Sequence, residues 1–196
     1  MKLLEDRIRR DGRILPGNIL KVDQFLNHQV DPALMMEMGR DFAEHFKDAG
    51  ITRILTLEVS GISMAMTTAL HLGVPMVFAK KISSKTLSTD TYHSTVFSYT
   101  KKIEYDIRID KRFVTPEDRV LIIDDFLANG QALHGLTHLC EQGGATVVGY
   151  GIAIEKVFQG GGQEFRERGY DVYSLAMIDH FTDNGVVFTH EVEQTQ

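Results

Sequence analysis

Two short apolar runs, residues 51–59 (ITRILTLEV) and 74–81 (VPMVFAKK), flank residues 61–73, where apolar side chains recur at helical spacing up to a terminal glycine. Short apolar runs bounded by turn residues read as buried strands, and glycine after a periodic stretch reads as a helix stop. The three segments therefore predict a β-α-β unit. The pattern returns in residues 119–124 (RVLIID), 130–144 (a helix closed by glycine) and 146–156 (TVVGYGIAIEK). Two such units in succession predict an α/β fold with a largely parallel, twisted sheet flanked by helices. Residues 171–178 (DVYSLAMI) and 186–192 (VVFTHEV) read as later strands, the last on an edge or in a small C-terminal piece.

Two segments depart from this alternation. Residues 83–111 are polar at first and then alternate with period two, with Ile103, Tyr105, Ile107 and Ile109 separated by Glu104, Asp106 and Arg108. That predicts a hairpin arm with a mobile tip, and Tyr99, Thr100, Lys101 and Lys102 near its turn suit a lid. At the other end, residues 1–15 read as an amphipathic helix. Residues 17–32 (GNILKVDQFLNHQVDP) are too irregular for a core strand and are expected to cap one edge of the sheet. Leu34, Met35, Met36, Met38 and Phe42 form an apolar helix stripe suited to a core or a dimer contact.

The composition narrows the possible roles. With 196 residues, one domain can bury its own core, and a lone cysteine, Cys140, cannot form an intrachain disulfide. No apolar run approaches the roughly 20 residues that cross a bilayer, and the N-terminus mixes charge signs unlike a secretory signal. A cytoplasmic protein without a membrane partner is expected. The formal net charge of -6 and the scattered basic residues argue against nucleic acid as the main partner. An anionic ligand would therefore need a local site.

Residues 120–132 (VLIIDDFLANGQA) supply one. Asp124 and Asp125 follow an apolar strand, where desolvation and mutual repulsion both oppose ionisation. The small residues Ala128, Asn129, Gly130, Gln131 and Ala132 then lead into a helix, so backbone N–H groups and the helix dipole can meet a phosphate. The carboxylates suit sugar hydroxyls or a hydrated divalent cation. A bare acidic pair is equally a turn that caps a helix. The whole pattern lacks the glycine and lysine spacing of an ATP-type phosphate loop and the glycine spacing of a dinucleotide site. His134 and His138 have metal-like spacing without an evident third ligand, so no zinc is assigned.

This stretch resembles the phosphoribosyl-diphosphate signature of type I phosphoribosyltransferases. Residues 2–192 as a whole resemble the bacterial purine enzymes of that family that act on xanthine, through LKVDQFLNHQVDP, TLEVSGI, LGVPMVFAKK and GIAIEK. The resemblance implies a single domain, residues 1–196, in which residues 1–35 help to form a hood over the purine site. It further implies a homodimeric purine-salvage enzyme that joins xanthine to 5-phosphoribosyl 1-diphosphate, with Mg²⁺ held mainly through that substrate and no direct protein ligand assigned.

By position, the resemblance gives the 5-phosphate to Ala128, Asn129, Gly130, Gln131 and Ala132, and the ribose hydroxyls to the catalytic pair Asp124 and Asp125. Diphosphate falls to Glu58, Val59, Ser60 and Gly61 with Lys80 and Lys81. The purine falls to Leu20, Asn27 and Lys156; apart from the resemblance, the aromatic Phe158 is suited to stack on the ring opposite Leu20. The chain departs from the family at Val59, where a small hydroxyl residue is common, and at Lys80, where arginine is common. Ala128 replaces an aspartate of the hypoxanthine-guanine relatives, so no general base is assigned. Guanine, hypoxanthine or adenine as the base, and a non-catalytic sensor of phosphoribosyl diphosphate, remain alternatives.

Overall fold

In the computed structural model, which describes residues 1–81, 90–98, 103–183 and 185–193, both anticipated β-α-β units lie at the middle of one sheet. The chain opens with α1 (Lys2–Asp11), a small hairpin of β1 (Arg13–Leu15) and β2 (Ile19–Lys21), a wide helical turn (Asp23–Asn27) and α2 (Pro32–Phe46). The first unit is β3 (Arg53–Leu57), α3 (Ile62–Leu72) and β4 (Met76–Lys81). The arm is β5 (Thr91–Ser98) and β6 (Ile103–Asp110). The second unit is β7 (Arg119–Leu127), α4 (Gln131–Gln142) and β8 (Thr146–Lys156), followed by α5 (Gly161–Glu167), β9 (Val172–Thr182), β10 (Gly185–Phe188) and α6 (Thr189–Glu193).

The eight-stranded sheet has the order β10-β9-β8-β7-β3-β4-β6-β5. The run from β9 to β4 is parallel, whereas β10 and both arm strands are antiparallel to their neighbours. From β3 the chain moves outward to β4, and from β7 it moves outward the other way to β8. The order therefore reverses between β3 and β7. Such a reversal opens a crevice at the carboxyl ends of the two strands, because their connections leave to opposite sides.

Both faces of the sheet are covered, which explains the unbroken apolar run of β7. Leu121 and Ile123 pack with Leu4, Ile8, Met35, Met38 and Phe42 beneath the first helices. Val120 and Ile122 pack on the other face with Leu133, Leu136, Tyr150 and Phe165. Each aliphatic side chain fully buried in this way contributes about 1.5–3 kcal/mol. Local signals place the helices: the Asp31 carboxylate accepts from the Ala33 and Leu34 amides at 3.1 and 3.2 Å with Pro32 at the first position, and Gly73 closes α3 at φ 68°.

Three sequence expectations need adjustment. The helix expected over residues 1–15 stops at Asp11, and Arg13–Leu15 forms β1, paired with β2 in a two-stranded sheet apart from the core sheet. The strand expected over 186–192 stops at Phe188, because the Glu191 carboxylate accepts the Phe188 amide at 2.9 Å and folds the next residues into α6. In the methionine stripe, Met35 and Met38 belong to the core, while Met36 reaches the surface. The arm alternates as expected, but its tip residues Tyr99, Thr100, Lys101 and Lys102 lie outside the described residues.

Candidate active site

The crevice at the strand-order reversal is a cavity of about 530 Å³. The turn after β3, the loop after β7, the end of β8, the β1–β2 hairpin and the arm all contribute to its wall. Its floor is the acidic pair. Asp124 is still within the β7 ladder, opposite Ile152, and is only 6 % exposed; Asp125 is half-buried. The Asp125 amide donates to the Asp124 carboxylate at 3.0 Å. Burial and then the charge of Asp125 hold the Asp124 carboxyl well above the ordinary carboxylate range, opposed by nearby Lys81. Burial also raises Asp125. The Tyr105 phenol is raised by burial and by both aspartates, so it stays protonated beside them. Two carboxylates in this state favour a ligand that brings hydroxyl donors or a cation.

Beyond the pair, Ala128, Asn129, Gly130, Gln131 and Ala132 all line the cavity. Gly130 adopts φ 78°, ψ 4°, a left-handed conformation that costs other residues dearly, and from it α4 begins at Gln131. The first turn of a helix has N–H groups without intrahelical partners, so α4 points donors and its positive dipole end at this loop. Such a corner suits an anionic group.

The turn after β3 forms the opposite wall through Glu58, Val59 and Ser60. Its Glu58–Val59 peptide bond is cis. The Glu58 amide donates to the Ala79 carbonyl at 3.1 Å and its carboxylate accepts the Lys81 amide at 2.6 Å, which fixes the turn to the end of β4. Val59 is 75 % exposed. Gly61 lies beneath the turn against Thr56, outside the cavity wall, where a Cβ would stand 2.0 Å from the threonine hydroxyl. The Lys81 ammonium is 5.1 Å from the Tyr105 ring centre and lines the cavity; Lys80, paired with Arg108 in the sheet, does not.

The third wall joins β8 to the N-terminal hairpin. The Lys156 ammonium donates to the Asn18 carbonyl at 2.8 Å and stands 5.7 Å from the Phe126 ring centre, and burial lowers its pKa. Gly17, Asn18, Ile19, Phe126 and Gln159 complete this side. Of the four residues expected at the purine, Lys156 is in the wall and Leu20, Asn27 and Phe158 are not. Leu20 is buried in the core, Asn27 is exposed at the end of the wide helical turn, and Phe158 packs edge-on against Phe181 at 5.7 Å. The hairpin tip was missed, although Pro16-Gly17-Asn18 is a turn signal and Asn18 has the positive φ of 59° such turns permit. Tyr105 was visible only as one member of an alternating strand.

Among the described residues no group of three or more histidine, cysteine, aspartate or glutamate side chains could hold a metal ion. The hard oxygen donors of Asp124 and Asp125 nevertheless suit Mg²⁺, which commonly takes one or two carboxylates and the rest of its ligands from phosphates and water. His134 and His138 face Glu164 and Glu141 at 3.0 and 3.5 Å.

Comparison with known proteins agrees with this fold. The family model described as "Phosphoribosyl transferase domain" matches residues 22–190. The chain is 53% identical over 188 residues to the xanthine phosphoribosyltransferase of Finegoldia magna, covering 96% of this chain and 99% of the relative. It is 54% identical over 191 residues to that of Ligilactobacillus salivarius, covering 97% and 100%. Among solved structures, adenine phosphoribosyltransferase from Giardia lamblia with 9-deazaadenine has a TM-score of 0.74 at 22% identity over 90% of this chain and 98% of that one. The enzyme from Trypanosoma brucei, solved with AMP, pyrophosphate and ribose-5-phosphate, also reaches 0.74, at 18% identity over 98% and 92%.

Proposed function

Because the chain belongs to the phosphoribosyl transferase family, we propose that it transfers the phosphoribosyl group of 5-phosphoribosyl 1-diphosphate to xanthine, giving xanthosine 5'-monophosphate and diphosphate in purine salvage. The observation that carries this reading is the convergence, in one cavity, of an anion-binding loop, a buried carboxylate pair and a lysine tied to the hairpin. The relatives at 53–54% identity are named for xanthine, which supports that base over guanine, hypoxanthine and adenine.

In this reading the amides of Ala128 to Ala132 hold the 5-phosphate, and Asp124 and Asp125 accept from the ribose hydroxyls. Glu58, Val59, Ser60 and Lys81 surround the diphosphate, with Gly61 keeping the turn close to the sheet and Lys80 one residue behind. Lys156 donates to a carbonyl of the base. Leu20, on the core face of β2, backs the hairpin, and Asn27 and Phe158 stand outside the cavity wall. Mg²⁺, when bound with the substrate, would neutralise the departing diphosphate. As the bond from the anomeric carbon to diphosphate breaks, positive charge develops on the ribose, and the carboxylate pair supplies a favourable potential for it. The unprotonated nitrogen of the purine's five-membered ring then bonds to that carbon, and the proton on its other nitrogen passes to solvent. Positioning of the two substrates is the main source of rate.

The reading extends to a single domain of residues 1–196 with its hood in residues 1–35, to the cytoplasm, and to a homodimer. Exposed Met66 and Leu70, one turn apart on α3, support pairing of two chains. The test is diphosphate release by the purified protein with Mg²⁺, phosphoribosyl diphosphate and each of the four purines. Fastest turnover with xanthine supports the proposal, another preferred base corrects the substrate, and no turnover with any base favours a sensor.

A further inference from the structure

The loop that faces the anion is braced from behind by α5. The Gly161 amide donates to the Ala128 carbonyl at 3.0 Å, and the two backbones are so close that a Cβ on Gly161 would stand 2.4 Å from that oxygen and 2.6 Å from the Gly130 nitrogen. On the same side, the Phe165 ring lies 3.1 Å from where a Gly130 Cβ would be.

The brace is itself fixed to the sheet. Arg166 donates to both oxygens of the buried Glu155 carboxylate at 2.8 and 2.7 Å and to the Val172 carbonyl at 3.1 Å. The Ser174 hydroxyl donates to the same carboxylate at 2.5 Å. A two-pronged, partly buried ion pair of this kind sets geometry more than it adds net stability. The φ of Gly161 is not among the positive values of the chain, so backbone conformation does not require glycine there. What requires it is the approach of the loop backbone.

We propose that Gly161 is a positioning residue for phosphate binding: by its amide and its missing side chain it holds Ala128, Asn129 and Gly130 in the conformation that turns their N–H groups toward the anion. Arg166 and Glu155 hold Gly161 in place for that task. This inference rests on the phosphoribosyltransferase reading of the site.

The experiment is calorimetric binding of ribose 5-phosphate to the full chain and to Gly161→Ala and Gly169→Ala. Gly169 lies just past α5 at φ 87° with nothing within 4 Å of a Cβ, so alanine there strains the backbone without touching the loop. Gly161→Ala is expected to weaken binding about tenfold or more, as small displacements of positioned groups do. Its KM for phosphoribosyl diphosphate should rise while its KM for the purine stays near the parent value. Gly169→Ala should lose thermal stability and keep the parent affinity. If Gly161→Ala does not fold, Arg166→Lys, which keeps the charge but gives up the fork of donors, is read in the same way. Parent-like affinity in the variant that is read, or equal losses in both glycine variants, overturns the proposal. Absence of ribose 5-phosphate binding by the unaltered chain overturns the phosphoribosyl reading and this inference with it.

Discussion

Lys156 and Asn18 are 138 positions apart, yet the lysine ammonium donates to the asparagine carbonyl at 2.8 Å. The end of a central strand is thereby tied to the tip of the N-terminal hairpin, and the tie crosses the wall assigned to the base. Loss of a charge-assisted hydrogen bond costs about 1.5–3 kcal/mol, so Lys156→Met should raise the KM for xanthine about tenfold or more. The KM for phosphoribosyl diphosphate should change little. Initial-rate kinetics with each substrate varied in turn will show it; equal changes in both constants would remove Lys156 from the base wall.

Asp124 and Asp125 link pH to stability and to activity. Folding raises both carboxyls above their ordinary range, chiefly through burial. The folded chain therefore binds these protons more tightly than the unfolded chain. Stability from this source is fully present below the ordinary carboxylate pKa and is lost as pH rises through the raised native values. Asp124→Asn keeps an oxygen for the Asp125 amide and removes the charge. Near neutral pH it should melt higher than the parent. The gap should close as pH falls toward about 4. Turnover should drop about a hundredfold. Melting scans across pH decide the point, and a gap that widens in acid would refute the assignment.

Gly61 and Thr56 form a second testable pair. A Cβ on Gly61 would stand 2.0 Å from the Thr56 hydroxyl, which is buried without a hydrogen-bond partner among the described residues. Gly61→Ala should therefore destabilise the protein by about 1–3 kcal/mol through overpacking. With Thr56→Ala the nearest remaining contacts are 3.4 Å away, an ordinary separation. Urea unfolding of both single variants and the double variant should show the threonine change rescuing the glycine change; simple additivity would contradict the contact.

Cys140 offers a probe of global opening. Its thiol is fully buried in the core on the α4 side, and burial pushes its pKa up to about 12. The thiolate is the reactive form, so the native protein should resist alkylation at mildly alkaline pH. The rate should follow unfolding as denaturant is added. Mass spectrometry of iodoacetamide-treated protein measures this, and rapid labelling of the native chain would be the contrary result.

Most of the fold and the loop between β7 and α4 were legible in the sequence because their signals are local. Apolar runs define β3, β4, β7 and β8; Gly73 stops α3; residues 120–132 carry strand, acidic pair, loop and helix start in one contiguous stretch. Backbone propensity and periodicity act between near neighbours, so one chain suffices to read them.

What the tertiary structure decided is which distant groups meet and which face a side chain takes. The reversal of strand order brings the end of β3 beside the end of β7, and only that pairing makes one cavity from Glu58 and Asp124. In β2 successive residues point to opposite faces, and the β1–β2 register turns Ile19 to the cavity and Leu20 to the core. A shift of one residue would exchange them, and nothing in the local pattern fixes that phase. The approach of Gly161 to Ala128 is of the same kind: the glycine is plain in the sequence, but the backbone that makes it necessary arrives from another strand. Local chemistry sets the elements, while pairing and packing over long separations set the site.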